Sequence, residues 1–297
     1  MLLPVVAGVD GSDASLAAAE WAAREAVRRD RPLRLVHARH PRQRNVPAAE
    51  DRLRPDRSVL RHAEDRIRRT TPAVRLTPTP AEGPAAEALL REAGEAELLV
   101  LGSRGLSGFT GFLVGSVALG VVARCARPVV LVRAGEEPED EHWPAADGSA
   151  SAVTGYRDVV LGVDLTAPCD EVIDFAFEAA QVRGARLRAV HAWQPPSPIG
   201  LGDGEIALIP EFAQAEEWHG FLSAVLRPWR EKYPDVEVAE TVTRGRPQSV
   251  LVRAGSGAGL LVVGRRLTDR PAGPRTGPVT HAVVHHVGCP VAVVPHE

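Results

Sequence analysis

The residues best suited to chemistry form a glycine-spaced segment directly after an apolar run at 98–101. The segment reads Gly102, Ser103, Arg104, Gly105 and then, after nine further residues, Gly115 and Ser116. Glycines at such places permit positive φ and let a backbone approach a ligand closely. Ser116 falls where a helix should begin, and free amides and the helix dipole attract anions there. The spacing predicts a phosphate-binding turn, with Arg104 adding a charge-assisted contact.

Two alternatives stay open for these residues. Glycines are common in strand-to-helix turns, so the segment could be a plain connection. Asp10 ends the first apolar run and could contact a ligand, or could act only as a turn or capping aspartate before Gly11 and Ser12. The segment is neither a Walker loop nor a dinucleotide fingerprint, because it has no Gly-Lys-Ser/Thr and no G-x-G-x-x-G.

An internal repeat positions these residues. Four apolar segments occur twice, the first two at an offset of 154 and the last two at an offset of 162. The pairs are 5–12 with 159–166, 35–38 with 189–192, 98–102 with 260–264, and 128–132 with 290–294. The repeat predicts a duplicated domain whose second copy has eight extra residues between its second and fourth apolar runs.

Each copy alternates strand-like with helix-like segments. In the first copy we predict strands near 4–10, 33–38, 74–79, 97–102 and 128–133, with helices at 14–29, 57–70, 84–94 and 115–125. Continuous apolar runs that alternate with helices are typical of a parallel sheet covered on both faces. Ligands bind such a sheet at the carboxyl ends of its strands, where the strand order reverses.

Composition sets the domain limits and excludes several classes. We predict domains at 1–135 and 155–297, joined by a linker at 136–154 that is acidic, then rich in Ala, Ser, Gly and Pro, and too polar to order itself. The net charge of −3 favours neither nucleic acid nor a membrane as partner. Three widely spaced cysteines form no metal or disulfide pattern and suit the cytoplasm. The uncharged run 106–123 is short for a membrane span, and a buried loop and helix fit it as well.

The second copy departs from the glycine pattern. Gly264 and Gly277 are kept, but Leu267 replaces the second glycine and Pro278 replaces the serine. A proline at that position fits a helix start but has neither an amide nor a hydroxyl for a phosphate. We therefore expect the second copy to be mainly structural or regulatory, although Thr280 could supply a substitute hydroxyl.

On these motifs the chain resembles the tandem universal stress proteins. The first copy has that family's opening Val-Asp-Gly-Ser at 9–12, Gly83-Pro84 before its third helix, and the complete pattern G-x2-G-x9-G-S/T. The resemblance implies two α/β domains, Rossmann-like or flavodoxin-like, each a five-stranded parallel sheet of order 3-2-1-4-5 with helices on both faces. It also implies ATP, with or without Mg²⁺, between strands 1 and 4. The residues implied at that site are Gly8, Val9, Asp10, Ala38, Leu101, Gly102, Arg104, Gly105, Gly115, Ser116, Val117 and Ala118.

The functional hypothesis is an ATP-binding module for stress response or regulation, with no catalytic residue and no metal site of its own. His37 and His191 are predicted to be structural. The fifth strands are predicted to pair within the chain, and a homodimer and an unknown protein partner stay open. The alternatives are a slow ATPase, a nucleotidyl-transfer enzyme and a nucleotide-free interaction module. Transfer is disfavoured because Lys232 is the single lysine and no obvious base accompanies the motif.

Overall fold

Strands and helices alternate along the whole chain in the computed structural model, which describes residues 2–39, 55–103, 114–194, 211–267 and 276–297. The strands are β1 (Val5–Gly8), β2 (Leu33–Arg39), β3 (Leu76–Glu82), β4 (Leu98–Ser103), β5 (Val129–Arg133), β6 (Val159–Gly162), β7 (Leu187–Trp193), β8 (Val238–Arg244), β9 (Leu260–Arg266) and β10 (Val291–His296). The helices are α1 (Asp13–Arg28), α2 (Pro55–Thr70), α3 (Ala85–Gly94), α4 (Ser116–Val122), α5 (Asp170–Gln181), α6 (Glu211–Lys232), α7 (Pro247–Ala254) and α8 (Pro278–His286).

All ten strands belong to one sheet, in the order β3-β2-β1-β4-β5-β10-β9-β6-β7-β8. Neighbouring strands within each half are parallel, whereas β5 and β10 are antiparallel, with Leu131 opposite Val291. The prediction that the fifth strands pair within one chain is confirmed. Each half reverses its strand order at one place, between β1 and β4 in the first half and between β6 and β9 in the second.

Helices cover both faces of the sheet, as predicted. One continuous core lies under α1, α2, α5 and α6, and a second lies under α3, α4, α7 and α8. Both cores include strand residues from the two halves, so the halves share their apolar layers. The extra length of the second copy falls largely in α6, which has 22 residues where α2 has 16.

The turn from β1 into α1 follows from four consecutive residues. Gly11 has a φ of +88°, which glycine adopts without strain. Ser12 caps α1, because its side chain accepts a hydrogen bond from the Ser15 amide. Asp13 in the first turn and Arg28 in the last suit the helix dipole. Asp10, two residues after β1, is therefore held next to the start of α1.

The segment between the halves is ordered, which corrects the prediction for 136–154. Pro138–Glu141 forms a short 3-10 helix, and the amide of Trp143 donates to the carbonyl of Gly155. Glu141 is buried, and Arg24 and Arg28 of α1 contact its carboxylate at 2.7 and 2.6 Å. The prediction considered only apolar burial, whereas ion pairs and backbone hydrogen bonds hold this segment in place.

A buried ionic cluster joins α1 to the second half. Glu25 is 1% exposed, and its Oε2 lies 2.5 Å from Nη2 of Arg183, which follows α5. Arg29 reaches the same carboxylate at 2.6 Å, and Arg28 reaches it at 3.2 Å. Burial alone would raise the pKa of Glu25, but Arg183, Arg29 and Arg28 hold it well below its ordinary value. The carboxylate therefore stays charged at neutral pH.

Two arginines cross between the halves and bind helix ends. Nε of Arg133, at the end of β5, donates to the carbonyl of Val287 at 2.5 Å, just beyond α8. Nη1 of Arg265, on β9, donates to the carbonyl of Ala123 at 3.2 Å, just beyond α4. Each half thus supplies a cation to the carboxyl end of a helix in the other half, where the helix dipole is negative.

Among the helices in the described part of the chain, none combines the length and the apolar character needed to cross a membrane.

The Glu25 cluster generates a stability prediction. Replacing Glu25 with Gln leaves three buried or half-buried guanidinium groups without their shared anion, so we expect the free energy of unfolding to fall by about 3 kcal/mol at pH 7. Because the folded pKa is depressed, this stabilisation is fully present above the ordinary pKa of 4.5, begins to fall as pH drops below that value, and is lost completely only below the folded pKa. Urea denaturation at pH 7 and at pH 4 should therefore show a smaller difference from wild type at the lower pH.

Glu64→Gln is the matched control, since Glu64 pairs with Arg68, whose side chain is 64% exposed. We expect its effect to stay within about 0.5 kcal/mol. Equal losses from the two variants would contradict the role given to the buried cluster.

Candidate functional site

A cavity of about 540 Å³ opens at the carboxyl ends of β1 and β4, where the strand order of the first half reverses. Strand ends form its floor, and the first turns of α1, α3 and α4 form its walls. Its volume lies in the range of ordinary small-molecule sites, about 300–1,000 Å³. This cavity is the candidate site of the first half.

The structure brings ten of the twelve predicted site residues together around this cavity. They are Gly8, Val9, Asp10, Ala38, Leu101, Gly102, Gly115, Ser116, Val117 and Ala118. The remaining two, Arg104 and Gly105, lie outside the described residues, as does the loop that follows them up to residue 113. Val114, directly before Gly115, is buried and lines the cavity.

Asp10 has a structural role in addition to its place in the cavity. Its Oδ1 accepts hydrogen bonds from the amide of Ser12 at 2.9 Å and from the hydroxyl of Ser12 at 2.6 Å. The turn-forming alternative for Asp10 is thus observed. The residue is also exposed at the cavity rim, so the turn fixes a carboxylate where a ligand would enter.

Gly102 is required by packing within the protein. A Cβ added there would lie 2.5 Å from the carbonyl carbon and oxygen of Ala14 and 2.7 Å from the amide nitrogen of Ser15. Gly102 also lacks a positive φ. The interpretation that Gly102 supplies a positive φ was therefore wrong, and the backbone that packs against it belongs to the start of α1.

Gly115 and Ser116 are placed as the sequence predicts. Gly115 is the N-cap of α4, and a Cβ there would meet no atom within 4 Å. The first hydrogen bond of the helix runs from the Leu119 amide to the Gly115 carbonyl. By helix geometry, the amides of Ser116, Val117 and Ala118 have no acceptor within the helix. These amides and the Ser116 hydroxyl lie at the cavity wall, where an anion could bind.

Sequence reasoning missed several lining residues. They are Ser12, Ala14, Ser15, Val36, Ala85, Leu89 and Leu119. His37 was predicted to be structural, and its Nδ1 indeed lies 2.7 Å from the carbonyl of Val9, but it also lines the cavity. Alternation along β2 could have indicated Val36. The residues on helix starts could not be assigned without knowing how the helices cross the strand ends.

The second half keeps a cavity at the corresponding place, with a volume of about 490 Å³. It lies at the ends of β6 and β9 and is lined by Asp164 and Ala192, the counterparts of Asp10 and Ala38. Oδ1 of Asp164 accepts from the amide and the hydroxyl of Thr166 at 3.0 and 2.6 Å, which repeats the Asp10 turn. The altered glycine pattern has therefore left the cavity itself in place.

The polar groups of this second cavity differ from those of the first. Pro278 is the first residue of α8, as predicted. Thr280 is buried, and its hydroxyl donates to the carbonyl of Gly264 at 3.0 Å, so the hypothesis of a substitute hydroxyl was wrong. Cys169 replaces Ser15; burial and a hydrogen bond to Glu171 raise the pKa of its thiol to about 11. It is therefore a protonated thiol at neutral pH, not a nucleophile.

Comparison with known proteins gives consistent results. The model of the universal stress protein family matches residues 1–133 and 155–295. Universal stress protein Rv2005c of Mycobacterium tuberculosis is 30% identical over 304 residues, covering 97% of this chain and 96% of its own. The crystal structure of a universal stress protein from Archaeoglobus fulgidus covers 99% of this chain and 98% of its own at a TM-score of 0.66 and 15% identity, which shows the fold. A universal stress protein crystallised in complex with cAMP is 31% identical over 45% of this chain and 98% of its own, at a TM-score of 0.38.

The packing of Gly102 generates a second prediction. Gly102→Ala forces the backbone at the start of α1 to shift, so we expect the free energy of unfolding to fall by about 2 kcal/mol. Gly94→Ala is the control, because a Cβ at Gly94 meets nothing within 4 Å and Gly94 ends α3. We expect that variant to match or exceed wild-type stability. A Gly102→Ala protein as stable as Gly94→Ala in urea denaturation would disprove the packing role.

Proposed function

Because this chain belongs to the universal stress protein family, we propose that its first half binds ATP and acts as a nucleotide-dependent module in stress response or regulation. The proposal uses the predicted division into a nucleotide-binding domain at 1–135, a linker at 136–154 and a second domain at 155–297. The site residues are the twelve predicted ones, ten of which surround the first cavity.

The observation that carries the proposal is the first cavity itself. It lies where ligands bind open parallel sheets, at the strand ends beside the reversal of strand order. Apolar side chains of Val9, Leu89 and Leu101 line one part of it, and the start of α4 lines another. An apolar region next to free amides suits a planar base and its phosphates. Its volume is large enough for a nucleotide.

The lining favours binding over catalysis. Among the described residues around the first cavity, Asp10 and His37 are the ones with ionisable side chains. Asp10 is engaged in its turn with Ser12, and Nδ1 of His37 is engaged with the Val9 carbonyl. A hydrolase needs a group that orients or deprotonates water beside the phosphates. We therefore propose a binding role in which ATP changes a surface that other proteins contact.

Mg²⁺ fits this site only as a companion of the phosphates. Carboxylate oxygens are ligands that Mg²⁺ accepts, and Asp10 offers one such group at the cavity rim. Within the described ranges, no cluster of three or more His, Cys, Asp or Glu residues could hold a metal ion. The phosphate oxygens of the nucleotide would supply further ligands to the Mg²⁺ ion. The proposal also includes a cytoplasmic location, supported by the free thiols of Cys125, Cys169 and Cys289.

Ser116 provides the test of ATP binding. Ser116→Pro removes one amide and one hydroxyl from the cavity wall, and proline is well tolerated at the first position of a helix, as Pro278 shows in α8. We expect ATP affinity to fall by about tenfold, measured by isothermal titration calorimetry. Nucleotide extracted from the purified wild-type protein should be adenine nucleotide.

Ser116→Ala is the matched control, because it removes the hydroxyl and keeps the amide. We expect it to lose about threefold in affinity. Thermal unfolding midpoints of both variants should stay within about 3 °C of wild type. A wild-type protein that releases no nucleotide and fails to bind ATP in the titration would sink the proposal.

A further inference from the structure

The two outer edges of the ten-stranded sheet are built differently. Within the described ranges, β3 pairs only with β2 at one edge, and β8 pairs only with β7 at the other. Backbone N–H and C=O groups that face away from such an edge can pair with another chain unless the strand is protected. The hydrogen bonds to the neighbouring strand show which residues face outward, because these groups alternate between the two sides of a strand.

The β3 edge is protected by proline. The amide of Leu33 on β2 donates to the carbonyl of Arg75, so the odd-numbered residues of β3 face β2 and the even-numbered ones face outward. Two of the outward-facing residues are Pro78 and Pro80, which have no amide proton. The centre of β3 therefore lacks the donors that a further strand would need, which is a common way to protect an edge.

The β8 edge keeps all of these donors. The amide of Gly245 donates to the carbonyl of Trp193 on β7, so the odd-numbered residues of β8 face β7. The outward-facing residues are Val238, Glu240, Val242 and Arg244. By the 162-residue offset, Glu240 and Val242 occupy the positions of the two prolines in β3. Residues 238–243 are half-buried, whereas most of β7 is buried, so solvent reaches this edge.

Charge is divided between the two ends of the β8 segment. Glu237 and Glu240 lie toward its start, and Arg244 and Arg246 lie toward its end. If two copies of β8 pair antiparallel, the acidic half of each lies beside the basic half of the other, whereas parallel pairing places like charges together. The edge is thus self-complementary, and a second copy of this chain is the partner that it fits.

We propose that two copies of the chain pair through β8, antiparallel about a two-fold axis at Val242, and so join their ten-stranded sheets into one. In this register the outward amide and carbonyl of Val242 bind those of Val242 in the second copy. Glu240 of each copy lies opposite Arg244 of the other. The contact is of the same kind as the antiparallel pairing of β5 with β10, which also joins equivalent strands.

The prolines of β3 make this assembly a closed dimer. Pairing of β8 with β3 of another copy would be a heterologous contact, which repeats from copy to copy and produces fibres. Pro78 and Pro80 remove the donors for that contact. The contact between two β8 strands is isologous and uses both open edges, so only the protected β3 edges remain at the outside of the dimer.

A proline at Val242 tests the backbone pairing. In sedimentation velocity experiments over a range of concentrations, we expect the wild type to reach twice the mass of one chain. Val242→Pro reproduces Pro80 and removes one outward amide from each copy while leaving the hydrogen bonds to β7 in place. We expect the dissociation constant of the dimer to rise by about thirtyfold. Val242→Ala is the matched control, since it keeps the amide, and we expect a change of less than about threefold.

A cysteine at the same position tests the register independently. The Cα atoms of a hydrogen-bonded antiparallel pair lie about 5.5 Å apart, which a disulfide can span. We therefore expect Val242→Cys protein to form a disulfide-linked dimer under mild oxidation. In Ala239→Cys, the two introduced cysteines would be six residues apart along the paired strands, about 20 Å, and we expect no linked dimer. Wild-type protein controls for the native cysteines.

Several results would overturn the inference. A wild-type protein that sediments as a monomer at every concentration has no such interface. A folded Val242→Pro protein that dimerises as tightly as wild type uses another surface. Equal weakening by Val242→Ala and Val242→Pro shows that the outward amide is not the cause. If Val242→Pro does not fold, the cysteine variants decide, and linkage of Ala239→Cys as efficient as that of Val242→Cys excludes pairing about Val242.

Discussion

The antiparallel pairing of β5 with β10 is the constraint on which both candidate sites depend. A five-stranded open sheet leaves an edge with unpaired amides and carbonyls on its fifth strand, and such an edge invites pairing with another chain. Here the two edges satisfy each other, with Val130 opposite Ala292 at the centre. The strands on both sides of this junction become central strands of one ten-stranded sheet. Both cavities are therefore built on strands of one continuous sheet.

The same junction connects the helices that border the two cavities. Arg133 is 6% exposed, and burial lowers its pKa to about 10 although Cys289 and Glu136 favour its charged form. Burial of the Arg133 guanidinium is unfavourable, and the hydrogen bonds that it donates to carbonyls at the end of α8 offset that penalty. Arg265 does the same for α4. A helix whose amino end borders a cavity is thus held at its carboxyl end by the other half, so that a ligand-induced shift of α4 or α8 would strain the junction.

The sequence predicted those features that depend on local periodicity, and it failed where distant backbones meet. Apolar runs and the repeat were enough for the strands and the helices, because these follow from neighbours in the chain, and the pairing of the fifth strands followed from their place at the edge of each sheet. The requirement for a glycine at Gly102 comes from Ala14, which is far away in sequence and reaches β4 only through the crossing of α1. The order of the linker comes in the same way from Arg24 and Arg28, which bind Glu141. Contacts of this kind leave no periodic signal.

The second cavity shows why a degenerate motif is weak evidence for a lost site. A cavity of this fold is formed by strand ends and by helices that pack on the sheet, and those depend on residues such as Gly162, whose added Cβ would meet Leu251 at 2.7 Å. Selection for stability maintains such residues whether or not a ligand binds, because an overpacked core is costly. The groups that contact a ligand are few and contribute little to the core, so they can change one at a time. Pro278 stands at the first position of α8 without disturbing the helix, since proline suits the first turn of a helix. The place where a ligand can bind is therefore maintained by packing, independently of the few groups that would contact the ligand.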